Sequence, residues 1–182
     1  MRVIVRIDPR LSQMARGSEA LAQRARPMMQ AGLEKEGRAI RGEMVAAETA
    51  QTHLKRATIH RALQTFSGPL TFTIKSSGGN VRLKHFGARE SGGGVIAAPW
   101  GQPTYYAGAF IKSGRPGSRS ASPKLNGHVF ERVGKARKPI RQVRSGLYIP
   151  DEMTSGATLK AFDAGAVRAG GQILERLARA LP

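Results

Sequence analysis

The chain has no cysteine, few aromatic residues and few acids, and each shortage removes a class of explanation. Without cysteine among its 182 residues, disulfides and thiolate metal sites are excluded, and the compartment is left open. Aromatics make up only 5%, so Leu, Ile, Val, Met and Ala must fill most of the core. No apolar run approaches the roughly 20 residues that a membrane-spanning helix needs. Met1 to Pro9 alternates charged and apolar residues and lacks the continuous apolar core of a signal peptide, so a soluble protein made in the cytoplasm is expected. The twelve carboxylates are scattered. Their tight pairs are Glu34/Glu36 and Asp151/Glu152, and neither spacing puts both groups on one face. No acidic cluster suits a two-metal nuclease, and no nucleophile elbow is present. Gly92-Gly93-Gly94 lacks the Lys-Ser/Thr of a phosphate loop and reads as a flexible turn.

What is abundant is positive charge: 30 Lys and Arg against 12 acids, a formal net of +18. Such a field attracts polyanions. The excess is uneven. Ten basic residues (Lys112, Arg115, Arg119, Lys124, Arg132, Lys135, Arg137, Lys138, Arg141, Arg144) face Glu131 alone, a net of +9 in one segment. A solvated loop kept soluble by its charge is the plain reading. The sharper one is a surface that faces DNA or an acidic partner, carried by Lys112, Arg115, Arg119, Lys124, Lys135, Arg137, Lys138, Arg141 and Arg144.

The length favours a single domain over 1–182. Its organisation is a mainly helical part (1–68), a β-rich part with basic loops (69–150) and a C-terminal helix (151–182). Arg2 to Ile7 alternates with period two, as a short strand or arm. Leu11, Met14, Leu21, Ala25 and Met28 then form a helical stripe, which Pro27 should end, kink or restart. A second stripe holds Leu33, Gly37, Ile40, Met44 and Ala47. A break is expected at Thr49–Gln51, with Thr52 capping a third helix from His53 to about Leu63. After Ser67-Gly68-Pro69 the period changes. Leu70, Phe72 and Ile74 alternate with polar residues, and Val81 to Phe86 is the expected hairpin partner. Val95–Ala98, Ala107–Lys112 and His128–Val133 complete an expected antiparallel sheet of four or five strands. Ser113 to Asn126 reads as a long mobile loop and Lys135 to Arg144 as a second basic connector. Leu159, Phe162, Ala166, Gly170, Ile173, Leu177 and Leu181 mark the last helix, with Thr154 or Ser155 as cap. Gly165, Gly170 and Gly171 each cost about 1 kcal/mol there and need a close approach or a kink to explain them. The fold class is therefore α+β, with N-terminal helices and a C-terminal helix packed on a twisted antiparallel sheet.

Candidate sites are sparse. His53 and His60 lie two turns apart with no third ligand, so no metal or other cofactor is expected. His85 and His128 fall on expected strands and suit packing or a hydrogen bond within the sheet. Trp100, Tyr105 and Tyr106 surround a turn. They read first as a small core cover, then as a subunit interface, then as a stacking platform for single-stranded nucleic acid.

Four blocks follow in order: Leu83-Lys84-His85-Phe86-Gly87-Ala88-Arg89-Glu90, Ala107-Gly108-Ala109-Phe110-Ile111, Gly127-His128-Val129-Phe130-Glu131-Arg132, and Lys138-Pro139-Ile140-Arg141 to Ile149-Pro150. This order resembles the minor tail protein Z family, the tail-completion proteins of long-tailed bacteriophages. The resemblance covers roughly residues 80 to 150. One departure stands out: Gln142-Val143-Arg144-Ser145-Gly146 replaces the family's Gly-Pro-Ser-type turn. The resemblance implies a structural virion protein, not an enzyme. It would be assembled in the host cytoplasm, sit at the head-proximal end of the tail and support head–tail joining and DNA passage. Its implied partners are further copies in a homo-oligomeric ring, tail terminator or tail tube proteins, head-connector proteins, and the phosphates of phage DNA, with no membrane. The composition alone supports a different class equally well: a free, sequence-independent nucleic-acid-binding protein. No helix-turn-helix, zinc-finger or RNA-recognition signature accompanies it.

Overall fold

Apolar residues at three- and four-residue spacing build the longest element of the computed structural model, which describes residues 2–6, 19–112, 125–136 and 138–180. Helix α1 runs Glu19–Thr52 without a break. Its buried stripe contains Ala25, Met29, Leu33, Ile40, Met44 and Val45. Met28, expected on this stripe, is instead exposed, and Met29 takes the inward place. Leu11 and Met14 lie outside the described residues. Pro27 neither ends nor restarts the helix. A proline inside a helix removes one backbone bond, a cost of about 3 kcal/mol. Pro27 is on the exposed side, where water can serve the carbonyl that loses its partner. The expected break at Thr49–Gln51 is also displaced. The helix continues to Thr52 and ends where His53 turns to a φ of 57°. The Thr52 hydroxyl bonds back to the Glu48 carbonyl at 2.6 Å, and α2, Arg56–Ala62, starts from Lys55 without a side-chain cap.

Strand β1 (Arg2–Arg6), β2 (Leu63–Gly68) and β3 (Thr71–Ser76) form an antiparallel sheet in the order β1-β3-β2. Phe72 and Ile74 on β3 are buried under α1, as the alternation predicts. The partner differs from the expected one: β3 pairs with β1 and β2, not with the segment after Val81. β2 carries only one buried residue, Leu63, so its sequence has no strand period to read.

The remaining strands are short. β4 (Asn80–Arg82) passes into a 3₁₀ turn at Leu83–Phe86, followed by β5 (Arg89–Ser91), β6 (Gly94–Ala97) and β7 (Thr104–Ala107). β8 is Phe130–Arg132, β9 Ile140–Gln142 and β10 Arg144–Tyr148. Among the described residues the expected sheet of four or five strands is thus divided into four small ones, β5-β6-β7, β10-β4 and β8-β9 in addition to the first. Turns enforce the division: Gly87, Gly92, Gly93, Gly108, Gly127 and Gly146 all have positive φ and end or bend the ladders. The α+β class stands, and the antiparallel strands with it. The expected loop from Ser113 falls outside the described residues as far as 124.

After the short α3 (Ile149–Glu152), α4 runs Gly156–Ala180 and makes its main contact with α1. Its inner face is Thr158, Gly165, Ala169, Ile173 and Leu177, so Leu159 points outward. Leu181 is outside the described residues. Neither Thr154 nor Ser155 caps this helix with its side chain; those hydroxyls bond back to α3 carbonyls. The cap comes from α1, where Gln51 Oε1 accepts from the Ala157 and Thr158 amides at 2.8 and 3.4 Å. Buried apolar residues from Ala25 to Leu177 form one connected cluster.

Candidate nucleic-acid interface

The Leu83–Glu90, Ala107–Ile111, Gly127–Arg132 and Lys138–Pro150 blocks meet in one region. Phe110 and Phe130 exchange backbone bonds at 2.8 and 2.9 Å, which joins the second block to the third. The Val143 amide reaches the Val129 carbonyl at 2.9 Å, and β9 pairs with β8, which joins the third to the fourth. Glu90 Oε1 accepts from the Ile111 and Lys112 amides, both at 2.8 Å, tying the first block to the second. β10 then closes on β4. Ser145 Oγ donates to the Val81 carbonyl, and Asn80 Oδ1 receives the Gly146 amide at 3.1 Å. These side-chain bonds satisfy backbone that the irregular β10-β4 ladder leaves unpaired.

At the centre of this junction stands His128. Arg82 Nη1 lies 3.2 Å and Lys84 Nζ 3.4 Å from its Nε2. The Gln142 amide nitrogen is 3.1 Å from its Nδ1. A neutral imidazole has one lone pair. Turning the Gln142 amide would give its oxygen to Nδ1–H and leave Nε2 to accept. Two cations then share a single acceptor. Burial first, then the charges of Lys84 and Arg82, and finally His85, hold His128 below the usual histidine range. His85 is lowered for related reasons, burial followed by Lys84, Arg82, Lys55 and Arg61. The basic groups therefore extend from β4 to α2. Arg82 is also the direct cross-strand partner of Arg144, so the two side chains share a face. Among the described residues no carboxylate pairs with Arg82, Lys84 or Arg144.

The expected DNA- or partner-facing residues divide into groups. Lys112, Lys135, Lys138 and Arg144 are exposed. Arg141 is exposed but bonded to Glu131 at 2.5 Å. Arg115, Arg119, Lys124 and Arg137 lie outside the described residues. Arg82 and Lys84 have no distinction in the sequence beyond their place on an expected strand. The Arg82-x-Lys84-His85 run is visible there, but its approach to His128, more than forty positions away, is not.

The aromatic trio does not form one patch. Tyr105 and Tyr106 are neighbours on β7 and point opposite ways. Tyr106 packs against the core, Tyr105 is 51% exposed and bonds the Gly92 carbonyl, and Trp100 donates to Glu152 at 2.9 Å. His53 and His60 are not on one helix: His53 precedes α2, and Arg41 holds the His60 ring at 2.8 Å. Among the described residues no three His, Asp or Glu groups converge.

Two other polar features lie away from the basic region. An open groove of about 730 Å³ between α1 and the β2–β3 turn is lined by Gln30, Glu34, Ser67 and Leu70 among others. Its polar groups satisfy one another: Ser67 and Gln30 donate to Glu34 at 2.6 and 2.9 Å and keep its carboxyl below the ordinary value, with Arg38 adding to this. Glu48 is fully buried, with neither carboxyl oxygen bonded in the structure. Burial, with the Glu152 charge second, raises its pKa to about 8.

No helix among the described residues is long and apolar enough to cross a membrane. Comparisons of the chain with protein-family models, curated proteins and solved structures found no match.

Proposed function

We propose that this chain is a structural virion protein that completes a long phage tail at its head-proximal end and supports head–tail joining and DNA passage. One observation carries the reading. The four sequence blocks that resemble tail-completion proteins adjoin one another, linked by backbone and side-chain bonds across β4, β8, β9 and β10. Short strands coincide there with Lys84 and Arg144, which among the described residues have no carboxylate partner. Short edge strands can pair with a neighbouring copy, and cyclic symmetry would repeat the basic face around a ring. The role asks for surfaces and needs no reacting group.

The same cations favour a second reading, a free protein that binds nucleic acid through phosphates alone. The two part in the particle. In a phage that encodes this chain, deletion should yield filled heads and finished tubes that fail to join. Immunogold labelling should place the protein at the head-proximal tail end. Joined, infectious particles made without it would overturn the virion role. DNA binding by a chain never found in particles would favour the second reading.

A further inference from the structure

We infer that Arg82, Lys84 and His128, with Arg144 across the ladder, form a binding site for the phosphate backbone of duplex DNA. The choice of DNA rests on the role proposed above; the site itself stands on its donors and charges.

The first ground is a shortage of acceptors. Arg82 and Lys84 converge on one ring nitrogen at 3.2 and 3.4 Å, long for charge-assisted bonds. Gln142 occupies the other ring nitrogen at 3.1 Å, so Nε2 is what remains for both cations. A phosphate oxygen has lone pairs enough to serve both cations, which the ring does not. The second ground is uncompensated charge. Like charges directly opposite in a ladder are destabilising, yet Arg82 faces Arg144 and no described carboxylate pairs with either. The repulsion falls when a polyanion of matching density binds, and duplex DNA carries one charge per about 1.7 Å of axis. The third ground is access. Arg82 and Arg144 are exposed and Lys84 half-buried, so the cluster meets solvent from a framework fixed by β4 and β10. His85 beside it is under the charges of Lys55 and Arg61, so the positive field continues onto α2.

Nothing in the cluster reads bases, so binding should ignore sequence. His128 adds a signature that a diffuse basic surface lacks. Burial first, then the charges of Lys84, Arg82 and His85, all cationic or able to become so, hold the His128 titration below the ordinary 6.5. A bound phosphate favours the imidazolium. Affinity should therefore rise as pH falls through the His128 titration, and DNA should raise that titration point.

The test uses the purified full chain and a fluorescent duplex of about 20 base pairs, with affinity measured by anisotropy across a salt series. R82S/K84S should weaken binding on the order of tenfold at low salt. It should also reduce the slope of log affinity against log salt by about 0.9 for each phosphate that is no longer neutralised. R82K, which keeps the charge, should keep most of the slope; thermal melts should show all variants folded. Ring NMR should show the His128 titration moving up on adding DNA, and H128Q should lose the gain in affinity at low pH while H85Q keeps it. An unchanged slope in folded R82S/K84S would overturn the site. So would an unmoved His128 titration, or equal binding and an equal His128 response with polyglutamate, which would assign the face to an acidic protein. Tighter binding to duplex RNA would overturn the choice of DNA. If the site behaves as expected but R82S/K84S particles join and deliver DNA normally, the site stands and the virion role loses its DNA contact.

Discussion

The α1–α4 side and the basic side of the molecule are held together by different means. On the first, long helices interlock through apolar contact. Gly37 admits the Phe72 ring, Gly165 lets α4 close on Ile40, and Glu36 is buried between Arg176 and, with its amide turned to donate, Gln172. On the second, ladders of two to four rungs depend on side chains that serve backbone, such as Ser145, Asn80 and Glu90. The other side adds Leu83, Val95, Val129 and Leu147 to the same core from shorter elements, and it carries Arg82, Lys84 and Arg144, which among the described residues lack carboxylate partners. The difference teaches where each kind of substitution should be felt. Stability should concentrate on the helical side and charge-dependent binding on the basic side.

The strongest challenge to that division is Phe72→Ala. The ring fills the space between α1 and β3 and is buried. Removing it should cost about 3–5 kcal/mol, read as a lower urea midpoint. Arg144→Ser, on an exposed strand position, should shift the same midpoint by less than about 0.5 kcal/mol. Comparable losses from the two would show that the basic side bears stability as well.

Glu48 sharpens the comparison because it is a flaw inside the well-packed side. Its folded pKa, raised to about 8 by burial and then by Glu152, exceeds the ordinary 4.5. Below pH 4.5 both folded and unfolded chains hold the proton, so Glu48 adds no pH dependence. Between 4.5 and 8 the unfolded chain releases it more readily, so the folded state loses ground as pH rises. The slope for one such proton is at most about 1.4 kcal/mol per pH unit. From pH 4.5 to 8.5 the urea midpoint of the native chain should therefore fall relative to that of Glu48→Gln. Because the lowered His85 and His128 push the other way, the difference between native and Glu48→Gln profiles is the readout, and identical profiles would show that the buried carboxyl finds a partner absent from the structure.

The fold class could be read from the sequence because its evidence is local. The stripe from Leu33 to Met44 and the alternation of Phe72 and Ile74 both survive into the core. What could not be read depended on distant partners. β2 has one buried residue and becomes a strand only because β3 lies beside it. The α4 cap comes from Gln51, more than a hundred positions away, so the local candidates Thr154 and Ser155 were misleading. Pro27 is tolerated by a helix whose stability comes from its contact with α4. The candidate site followed the same rule. The basic segment from Lys112 to Arg144 was plain in composition, whereas the meeting of Arg82, Lys84 and His128 exists only after β10 closes on β4.

Effects smaller than that of Phe72→Ala separate two glycines of one helix that composition treats alike. A glycine inside a helix costs up to about 1 kcal/mol against alanine. Gly165 has a reason to be there: a Cβ at that position would sit 2.7 Å from Ile40 Cγ1, inside the contact with α1. Gly165→Ala must push Ile40 aside, and overpacking of this kind costs about 1–3 kcal/mol. The loss should exceed the gain in helix propensity. Gly171 has no neighbour within 4 Å and is exposed, so a close approach does not account for it. Gly171→Ala adds no clash and restricts the unfolded chain, which should stabilise the protein by about 0.4–1 kcal/mol. The two variants should thus move the urea midpoint in opposite directions from the native chain. A loss at Gly171 as large as that at Gly165 would mean that the outer face of α4 is itself packed in solution against another copy. The native chain should then show a larger mass by light scattering, and the loss should diminish on dilution to the monomer.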